Sequence, residues 1–444
     1  MPVIGLEAEF QTIVDGELVV PEEYWKTPAG FIDRPMLART SKSSQLPTGG
    51  AVYFDGGVVE VVTPVIEIAP QCTGRVVRSV WEQIGFVRDH FDRWEKRSGK
   101  RVELRAFSCH FNISFELPRD QRNRDRTIQK LALLLIHLLA VPVLITGANR
   151  RSTGIGVRPR RDRIEITLDF TPDPGLMAAT TALIVGIVRE VISWPSYRVD
   201  ELAARKIPTI ADVNPGKHAT RNGWILRDFH FPRNPFTGSI DERQWPTNDG
   251  RTLSLREVAL EIAECFHEPI GRWSDSFSER LLFAVLRGEM PSLLDLDDRP
   301  PGYDDVGRAV RWGSSLPELQ NYAGLMEAGP HRRARDVEEK LAPPWRGEPL
   351  DRRERIALPP RVERRDRVER REKPAAAAAP RLTRSEYEKV FLKLASGRRL
   401  QLGRELLTPV AVKGWYHAVF RNARGDERLL SIDQVREHMD GWRE

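Results

Sequence analysis

Two glutamates near the start of the chain are the first residues that could do chemistry. The segment VIGLEAEF places Glu7 and Glu9 one residue apart. Because side chains alternate between the two faces of a strand, a strand here would put both carboxylates on one face and the apolar residues on the other. Neighbouring carboxylates destabilise each other unless they face open water or share a cation. The segment alone therefore leaves two interpretations open: a pair of solvated glutamates, or part of a cation site.

Two later segments also combine an apolar face with a chemically active face. RVELRAFSCHFNISFELP, residues 101–118, alternates from Phe107 onward, and RIEITLDF, residues 163–170, alternates throughout. Both patterns predict strands that are buried on one side. Their polar faces carry Ser108, His110, Asn112, Ser114, Arg163, Glu165, Thr167 and Asp169.

A fourth segment, YFDGGVVEVVTP at residues 53–64, predicts a glycine turn after Asp55 and then an apolar strand that Glu60 interrupts. Since burying an unpaired carboxylate is costly, Glu60 requires a partner. We therefore predict that the four strands share one sheet. Its polar face would collect Glu7, Glu9, Glu60, His110, Asn112, Arg163 and Glu165.

This combination of side chains predicts a metal–nucleotide site. Carboxylate oxygens with one imidazole suit Mg²⁺ or Mn²⁺. Four carboxylates exceed the need of a single ion, so two or three ions are expected, with phosphates completing their coordination. The segment GANRRSTGIGVRPRRDR, residues 147–163, is rich in glycine and arginine, as a phosphate-binding loop would be. Taken singly, His110 could be a core histidine and the loop a solvated surface turn.

The motifs GLEAEF, EVVTP, HFNISF and NRRSTGIGVRP…RIEITLDF resemble the signature elements of the glutamine synthetase and glutamate–cysteine ligase superfamily. Within it the chain is most similar to the amidoligases, which are carboxylate–amine ligases, and YFDGGVVEVVTP also resembles the Pup ligase and depupylase branch. The resemblance covers about residues 1–270. It implies an α+β fold, in which a curved antiparallel β-sheet funnel is backed by helices.

The resemblance also implies roles for particular residues. ATP would bind with two or three Mg²⁺ ions, or Mn²⁺, and Asp55 and Arg163 would act in catalysis. Asp55 stands one residue closer to the following glutamate than in the Pup ligase branch, and Arg151 is inserted beside Arg150, which leaves open which of these two arginines faces ATP. The implied metal ligands are Glu7, Glu9, Glu60, His110 and Glu165, and the implied nucleotide-binding residues are Asn112, Arg150, Arg151, Arg158 and Arg163.

The function expected from the resemblance is an ATP-dependent carboxylate–amine ligase that works through an acyl phosphate and releases ADP and phosphate. Its partners would be a carboxylate substrate and an amine acceptor, either of which could be a small molecule, a peptide or a protein. Two alternatives remain open at this point: a nucleotide-dependent amidase or isopeptidase with the same site, and a non-catalytic binding protein.

The composition bounds where such a site would operate. Net charge is +6 over 444 residues, a mild excess that favours anionic ligands in general rather than nucleic acid. Three cysteines in no metal or redox spacing, and no signal-peptide pattern, predict a cytoplasmic protein. The apolar stretch at residues 131–147 predicts a buried helix that ends near Pro142, and no membrane role is expected.

The elements that position the site are predicted to lie in residues 1–343, which would form the catalytic domain. Residues 344–380 combine prolines, dense charge and an alanine run, which is typical of a linker. Residues 381–444 predict a small α+β C-terminal domain, in which Ser431 and Gln434 have the spacing of a helix capping box. Docking of a protein partner or substrate is favoured for this domain over nucleic-acid binding.

Overall fold

A computed structural model of the chain describes residues 2–40, 43–115, 125–218, 223–295, 306, 390, 393–394, 398–403, 405–413 and 417–443. The chain divides into two compact units: residues 1–18 with 60–344, and residues 19–59 with 345–444. The second unit therefore takes a segment that was predicted to belong to the catalytic domain.

The described residues form strands, α-helices and short 3₁₀ helices with the following bounds. The strands are β1 Val3–Val14, β2 Glu17–Val19, β3 Leu37–Thr40, β4 Ser43–Gln45, β5 Ala51–Asp55, β6 Val58–Val62, β7 Ile66–Glu67, β8 Val102–Ser114, β9 Ile155–Pro159, β10 Arg163–Asp169, β11 Gly216–Lys217, β12 Trp224–Leu226, β13 Trp245–Pro246, β14 Thr252–Leu253, β15 Arg399–Leu402, β16 Glu405–Lys413, β17 His417–Arg421, β18 Glu427–Ser431 and β19 Trp442–Arg443. The α-helices are α1 Pro21–Tyr24, α2 Cys72–Ser98, α3 Ile128–Gly147, α4 Pro174–Ser193, α5 Asp200–Ala204, α6 Leu255–Cys265, α7 His267–Trp273, α8 Ser276–Leu286 and α9 Ile432–Glu437. Short 3₁₀ helices cover Pro28–Gly30, Asp228–His230 and Met439–Gly441.

The centre of the first unit is an antiparallel sheet in which β1 pairs with β8, β8 with β10, β10 with β9, and β9 with β12. The apolar residues of β1 are buried at alternating positions, and α2, α3 and α4 contact strands of this sheet. Phe10, Phe170 and Trp81 pack edge to face in the core, with ring centroids 5.0 Å and 5.7 Å apart. The helix-backed antiparallel sheet agrees with the predicted α+β class, and closure of the sheet into a funnel stays a prediction.

Strand β8 contains a bulge that the sequence pattern did not predict. Glu9 lies opposite Ser108, whereas the next residue, Phe10, lies opposite Ala106. Phe107 is therefore the extra residue, and it is 39 % exposed instead of buried as predicted. An extra residue in one strand reverses the side-chain alternation beyond it. The bulge thus lets both halves of this long strand bury their apolar residues on one face.

Helix α3 does not end at Pro142 as predicted but continues to Gly147. Proline removes one backbone donor from a helix, and this loss is normally enough to kink or end it. Here the surrounding residues are buried, and the Thr146 hydroxyl donates to the Pro142 carbonyl oxygen at 3.1 Å. Helices α3 and α4 are long and apolar enough to span a membrane. However, 72 % and 83 % of the apolar stretch of each helix is buried inside the structure, as in core helices.

The second unit joins two distant parts of the chain. Strand β3 pairs in parallel with β16, through Ala38 and Ala411, and Leu37 packs against the core of the C-terminal residues. That core contains Leu400, Leu407, Ala418, Phe420, Leu430 and Val435 among its buried members. This pairing explains why residues 19–59 leave the predicted catalytic domain. The predicted linker at residues 344–380 lies outside the described residues.

Candidate metal and anion site

The site begins on the polar face shared by β1 and β8. Directly opposed residues of an antiparallel pair point to the same face. The register opposes Gly5 with Asn112, Glu7 with His110, and Glu9 with Ser108. His110 Nδ1 lies 3.0 Å from Glu7 Oε2, and the Ser108 hydroxyl donates to Glu9 Oε2 at 2.5 Å. The two glutamates of the first strand are therefore tied to β8 rather than left to solvent.

Glu60 joins this face from β6, which pairs with β1. Thr63, one residue past the end of β6, exchanges two hydrogen bonds with the backbone of Leu6, at 2.9 Å and 3.0 Å. Glu60 is only 2 % exposed, and its carboxylate lies with donor atoms of Glu7 and His110 within 4.8 Å of one another. Within the described ranges no other group of three or more His, Cys, Asp or Glu residues gathers this closely. Two carboxylates and one imidazole fit Mg²⁺ or Mn²⁺.

The ionisation of Glu7 favours a cation, and that of His110 opposes one. Burial disfavours the charge of Glu7, but the hydrogen bond and charge of His110, together with the charge of Arg163, hold the pKa of Glu7 below its usual value. Burial likewise disfavours protonated His110, yet the hydrogen bond to Glu7 and the charges of Glu9 and Glu7 raise the pKa of His110. An ionised Glu7 can ligate directly, whereas a proton on His110 competes with a cation for the ring nitrogen.

Arginine side chains border the cluster of Glu7, Glu60 and His110 on the β9 and β10 side. Arg158 Nη2 lies 3.1 Å from His110 Nε2 and also contacts Oε1 of Glu165. Arg160 Nε lies 2.6 Å from the other oxygen of Glu165. Glu165 is fully buried, and it is not one of the three clustered metal donors. Of the predicted metal ligands, Glu7, Glu60 and His110 are brought together, Glu9 lies 3.8 Å from His110, and Glu165 is held by arginines.

Arg163 and Asn112 form the next row of the same face. Arg163 Nε donates to Asn112 Oδ1 at 2.8 Å, and Arg163 also pairs with Asp162 at 3.1 Å. Asn112 lies opposite Gly5 on one side and Glu165 on the other. The side chain of Arg163 is 39 % exposed, so an anion in solvent can reach it.

The two adjacent arginines of the glycine-rich loop have different surroundings. Arg150 Nη1 donates to the carbonyl oxygens of Phe236 and Gly238, at 3.2 Å and 3.3 Å. Arg151 is exposed. The loop is fixed at its start by Asn149, whose side-chain amide nitrogen Nδ2 donates to Asp169 Oδ2 at 2.9 Å. Arg150 is therefore used to fasten two chain segments together.

Asp55, the predicted catalytic carboxylate, ends β5 in the second unit. Gly56 and Gly57 follow it with positive φ angles of 64° and 92°, which forms the predicted glycine turn. Glu60, five residues later, belongs to the first unit.

The sequence prediction gave no role to three polar residues near this face. Ser108 and Asp169 were placed on the predicted polar faces without a role. Arg160, one residue past the end of β9 and two residues after Arg158, was not considered. Gly223 was also missed: a Cβ there would lie 2.8 Å from Arg158 Cγ, so glycine leaves the room that the Arg158 side chain occupies.

Comparison with known proteins gives little beyond this geometry. No family model and no curated protein matches the chain. One solved structure that matches is the "Crystal structure of the complex between Prokaryotic Ubiquitin-like Protein Pup and its Ligase PafA", with 13 % sequence identity and a TM-score of 0.44, over 99 % of this chain and 92 % of that chain. Because the TM-score is below 0.5, the function proposed below rests on the site and on the sequence motifs.

Proposed function

We propose that this protein is an ATP- and Mg²⁺- or Mn²⁺-dependent carboxylate–amine ligase. The observation that carries the proposal is the contact between the two halves of the site: His110, one of three clustered metal donors, lies 3.1 Å from Arg158. One sheet face thus carries both side chains that can ligate a cation and guanidinium groups. This combination suits a ligand that is itself a complex of a cation with phosphate. The reaction class, carboxylate–amine ligation, is taken from the resemblance of the four sequence motifs, in this order, to those of the ligase superfamily.

In this proposal Glu7, Glu60 and His110 hold a divalent cation, with Glu9 beside them. When bound, the cation neutralises charge on the phosphate oxygens. Arg158, Arg160 and Arg163 bind phosphate oxygens, which guanidinium groups do with paired, charge-assisted hydrogen bonds. Asn112 fixes Arg163, and the exposed Arg151 is the loop arginine assigned to the nucleotide.

The proposed reaction follows from the charge of its reactants. A carboxylate is a poor electrophile, and transfer of the γ-phosphoryl group of ATP would convert it into an acyl phosphate. That transfer would release ADP. An amine would then attack the acyl carbon and displace phosphate, which forms an amide or isopeptide bond. Arginines that hold the phosphates stabilise charge in both steps. A carboxylate would accept the ammonium proton, which is the role that the sequence resemblance implies for Asp55.

The test is an ATP-consumption screen with Mg²⁺ over amino acids, peptides and protein amines, followed by mass analysis of the products. For an active pair, ¹⁸O in the substrate carboxylate should appear in released phosphate, one atom per amide formed. Label in AMP would contradict the acyl-phosphate route, and amide hydrolysis without ATP turnover would indicate an amidase instead. The Glu60→Gln protein is the inactive control, and Asp275→Asn, a substitution in a helix cap of the same unit, controls for loss of stability.

A further inference from the structure

One continuous sheet in the second unit joins the C-terminal residues to the strand that ends at Asp55. Strand β17 pairs with β16, β16 pairs in parallel with β3, β3 pairs with β4, and β4 pairs with β5. Asp55 is the last residue of β5. The strands that lead to Asp55 are therefore attached, through backbone pairing, to a strand that begins only at Glu405.

The same sheet is also fastened by side chains. Leu37 of β3 packs against the core of the C-terminal residues. Gln45 Nε2 on β4 donates to two carbonyl oxygens of the turn between β4 and β5, both at 2.7 Å. On β5, Ala51, Val52 and Phe54 are buried. Because close-packed interiors transmit displacements, a shift of β3 would be passed on to β5.

The turn that follows Asp55 leaves the backbone more freedom than the strands before it. Gly56 and Gly57 lack a side chain and have positive φ angles of 64° and 92°, and glycine adopts either sign of φ readily. A hydrogen bond from the Gly57 N–H to Glu22 Oε1, at 3.3 Å, holds this turn and also stays within the second unit. The position of Asp55 therefore depends on the second unit.

We propose that the C-terminal strands β16–β18 and their core are a positioning element of the ligase, which holds β3, β4 and β5 and through them the carboxylate of Asp55. This role rests on the proposed function, since it requires that Asp55 accepts the ammonium proton. A proton acceptor must lie within hydrogen-bond distance of the proton it takes, and a misplacement of about 1 Å can cost about 100-fold in rate. The C-terminal residues would then serve the reaction itself.

The test uses the full-length chain and the variant Leu37→Ala, which shortens the side chain that packs on the C-terminal core. Leu429→Ala is the matched control, because it makes the same change at a 49 % exposed leucine of β18 in the same unit. Asp55→Asn is the reference for loss of the carboxylate. Amide hydrogen exchange measures whether β5 is held, and ligation of the substrate pair from the ATP-consumption screen measures whether Asp55 is placed.

In Leu37→Ala we expect the amides of residues 51–55 to exchange about tenfold faster or more, together with those of residues 37–40. Residues 108–114 of β8, in the first unit, should keep their exchange rates, and Leu429→Ala should behave as wild type. Leu37→Val makes a smaller change at the same contact and should give the same pattern at lower amplitude if the alanine variant does not fold. Exchange of residues 51–55 at the wild-type rate would overturn the proposal, because β5 would then be held without the C-terminal core.

The kinetic part of the test separates a placed carboxylate from general stability. We expect kcat of Leu37→Ala to fall about tenfold and KM for ATP to stay within about threefold, because the proposed ATP-binding residues lie in the first unit. The loss should shrink as the pH rises toward the pKa of the amine, about 10 for a lysine side chain, since a deprotonated amine needs no proton acceptor. Added to Asp55→Asn, Leu37→Ala should cause no further loss. A loss that is equal at every pH, or that multiplies the loss of Asp55→Asn, would overturn the proposal.

These outcomes are distinct from a failure of the proposed function. A wild-type protein that ligates no substrate pair would contradict the ligase and, with it, the catalytic use of this sheet. An active wild type in which Leu37→Ala leaves the exchange of residues 51–55 unchanged would contradict the positioning role alone.

Discussion

Two networks of arginines and carboxylates in the first unit are built on opposite plans. Arg256 on α6 donates to Asp241, to Asp295 and to the Val285 carbonyl oxygen, so one cation is surrounded by acceptors. In the site, two arginines share the single carboxylate of Glu165, while the carboxylates of Glu7 and Glu60 gather beside His110. The central residue of each network, Arg256 or Glu165, is buried, but the first network places two anions around one cation and the second places two cations around one anion.

The difference indicates what each network is for. Opposite charges packed around Arg256 stabilise the fold by themselves, and burial of Arg256, which disfavours its charge, is outweighed by both aspartates, so that its pKa is raised. Like charges placed near one another cost stability unless a ligand neutralises them. We therefore expect substitutions around Arg256 to change stability, and substitutions in the site to change binding.

The largest expected effect is on stability. Arg256→Met removes the hydrogen bonds of a buried guanidinium group to Asp241, to Asp295 and to the Val285 carbonyl oxygen. Because the Asp241 side chain is 59 % exposed and can be solvated without Arg256, we expect a loss of about 2–3 kcal/mol. Denaturant unfolding should show this loss, and Mn²⁺ affinity of the folded protein should stay close to that of wild type. A loss below about 1 kcal/mol would remove the contrast between the two networks.

The matching change in the site is Glu60→Gln, which keeps the shape of a 2 % exposed side chain and removes its charge. Mn²⁺ affinity should fall about 100-fold or more, since even partners outside the ligand sphere contribute 10–100-fold. The free energy of unfolding should stay the same or rise by about 1 kcal/mol, because like charges are relieved. Titration calorimetry and denaturant unfolding of the same preparation check both numbers, and a clear loss of stability with retained Mn²⁺ binding would reverse the comparison.

Removing residues 345–444 tests whether the second unit contributes to either network. The truncation takes away the strand that pairs with Ala38 and the core that Leu37 packs against. Amides of residues 37–40 should then exchange with solvent tenfold faster or more, as for strands that lose their partner. Mn²⁺ binding should persist, because Glu7, Glu60 and His110 all lie in the first unit. Unchanged exchange at residues 37–40 would contradict the division of the chain into these two units.

The smallest expected effect concerns a buried carboxylate that binds neutral donors. Asp275 accepts from the Thr73 hydroxyl, the Gly74 N–H and the Ser278 hydroxyl. Burial raises its pKa, but these hydrogen bonds outweigh burial and hold the pKa of Asp275 below its usual value. Asp275→Asn should cost about 1–2 kcal/mol at neutral pH.

The pH dependence of that cost follows from the direction of the shift. Because the folded pKa lies below the unfolded one, ionised Asp275 stabilises the fold above about pH 4, and this contribution is lost as the pH falls through the folded pKa. Unfolding of wild type and Asp275→Asn should therefore differ at pH 7 and converge at lower pH. A difference that stays constant with pH would rule out the charge as its source.

The face on which each site residue lies could be predicted from the sequence, because strand alternation is a local property. Glu7 and Glu9 on β1, and Arg163 and Glu165 on β10, lie on the predicted polar faces. The capping box at Ser431 and Gln434 is another local signal that the structure confirms. The predicted grouping of Glu60 with Glu7 and His110 depended on the cost of an unpaired buried carboxylate, and these three residues do lie together.

The features that could not be predicted from the sequence depend on contacts between residues that are far apart in the chain. The bulge at Phe107 exists because β8 must keep its register with β1, and nothing within β8 marks it. The parallel pairing of Ala38 with Ala411 joins segments more than 300 residues apart, which no local pattern records. Helix α3 continues past Pro142 because all its residues from 138 to 147 are buried, and helix propensity does not account for such packing. The arginines around Glu165 required the register of β9 with β10.

The central claim is that one sheet face holds a divalent cation beside bound phosphate. The most direct measurement is anomalous diffraction from crystals grown with Mn²⁺ and a non-hydrolysable ATP analogue. We predict a manganese peak in contact with Glu7, Glu60 and His110, and phosphate oxygens against Arg158. A manganese peak away from these three side chains, or phosphates that do not contact Arg158, would contradict the account.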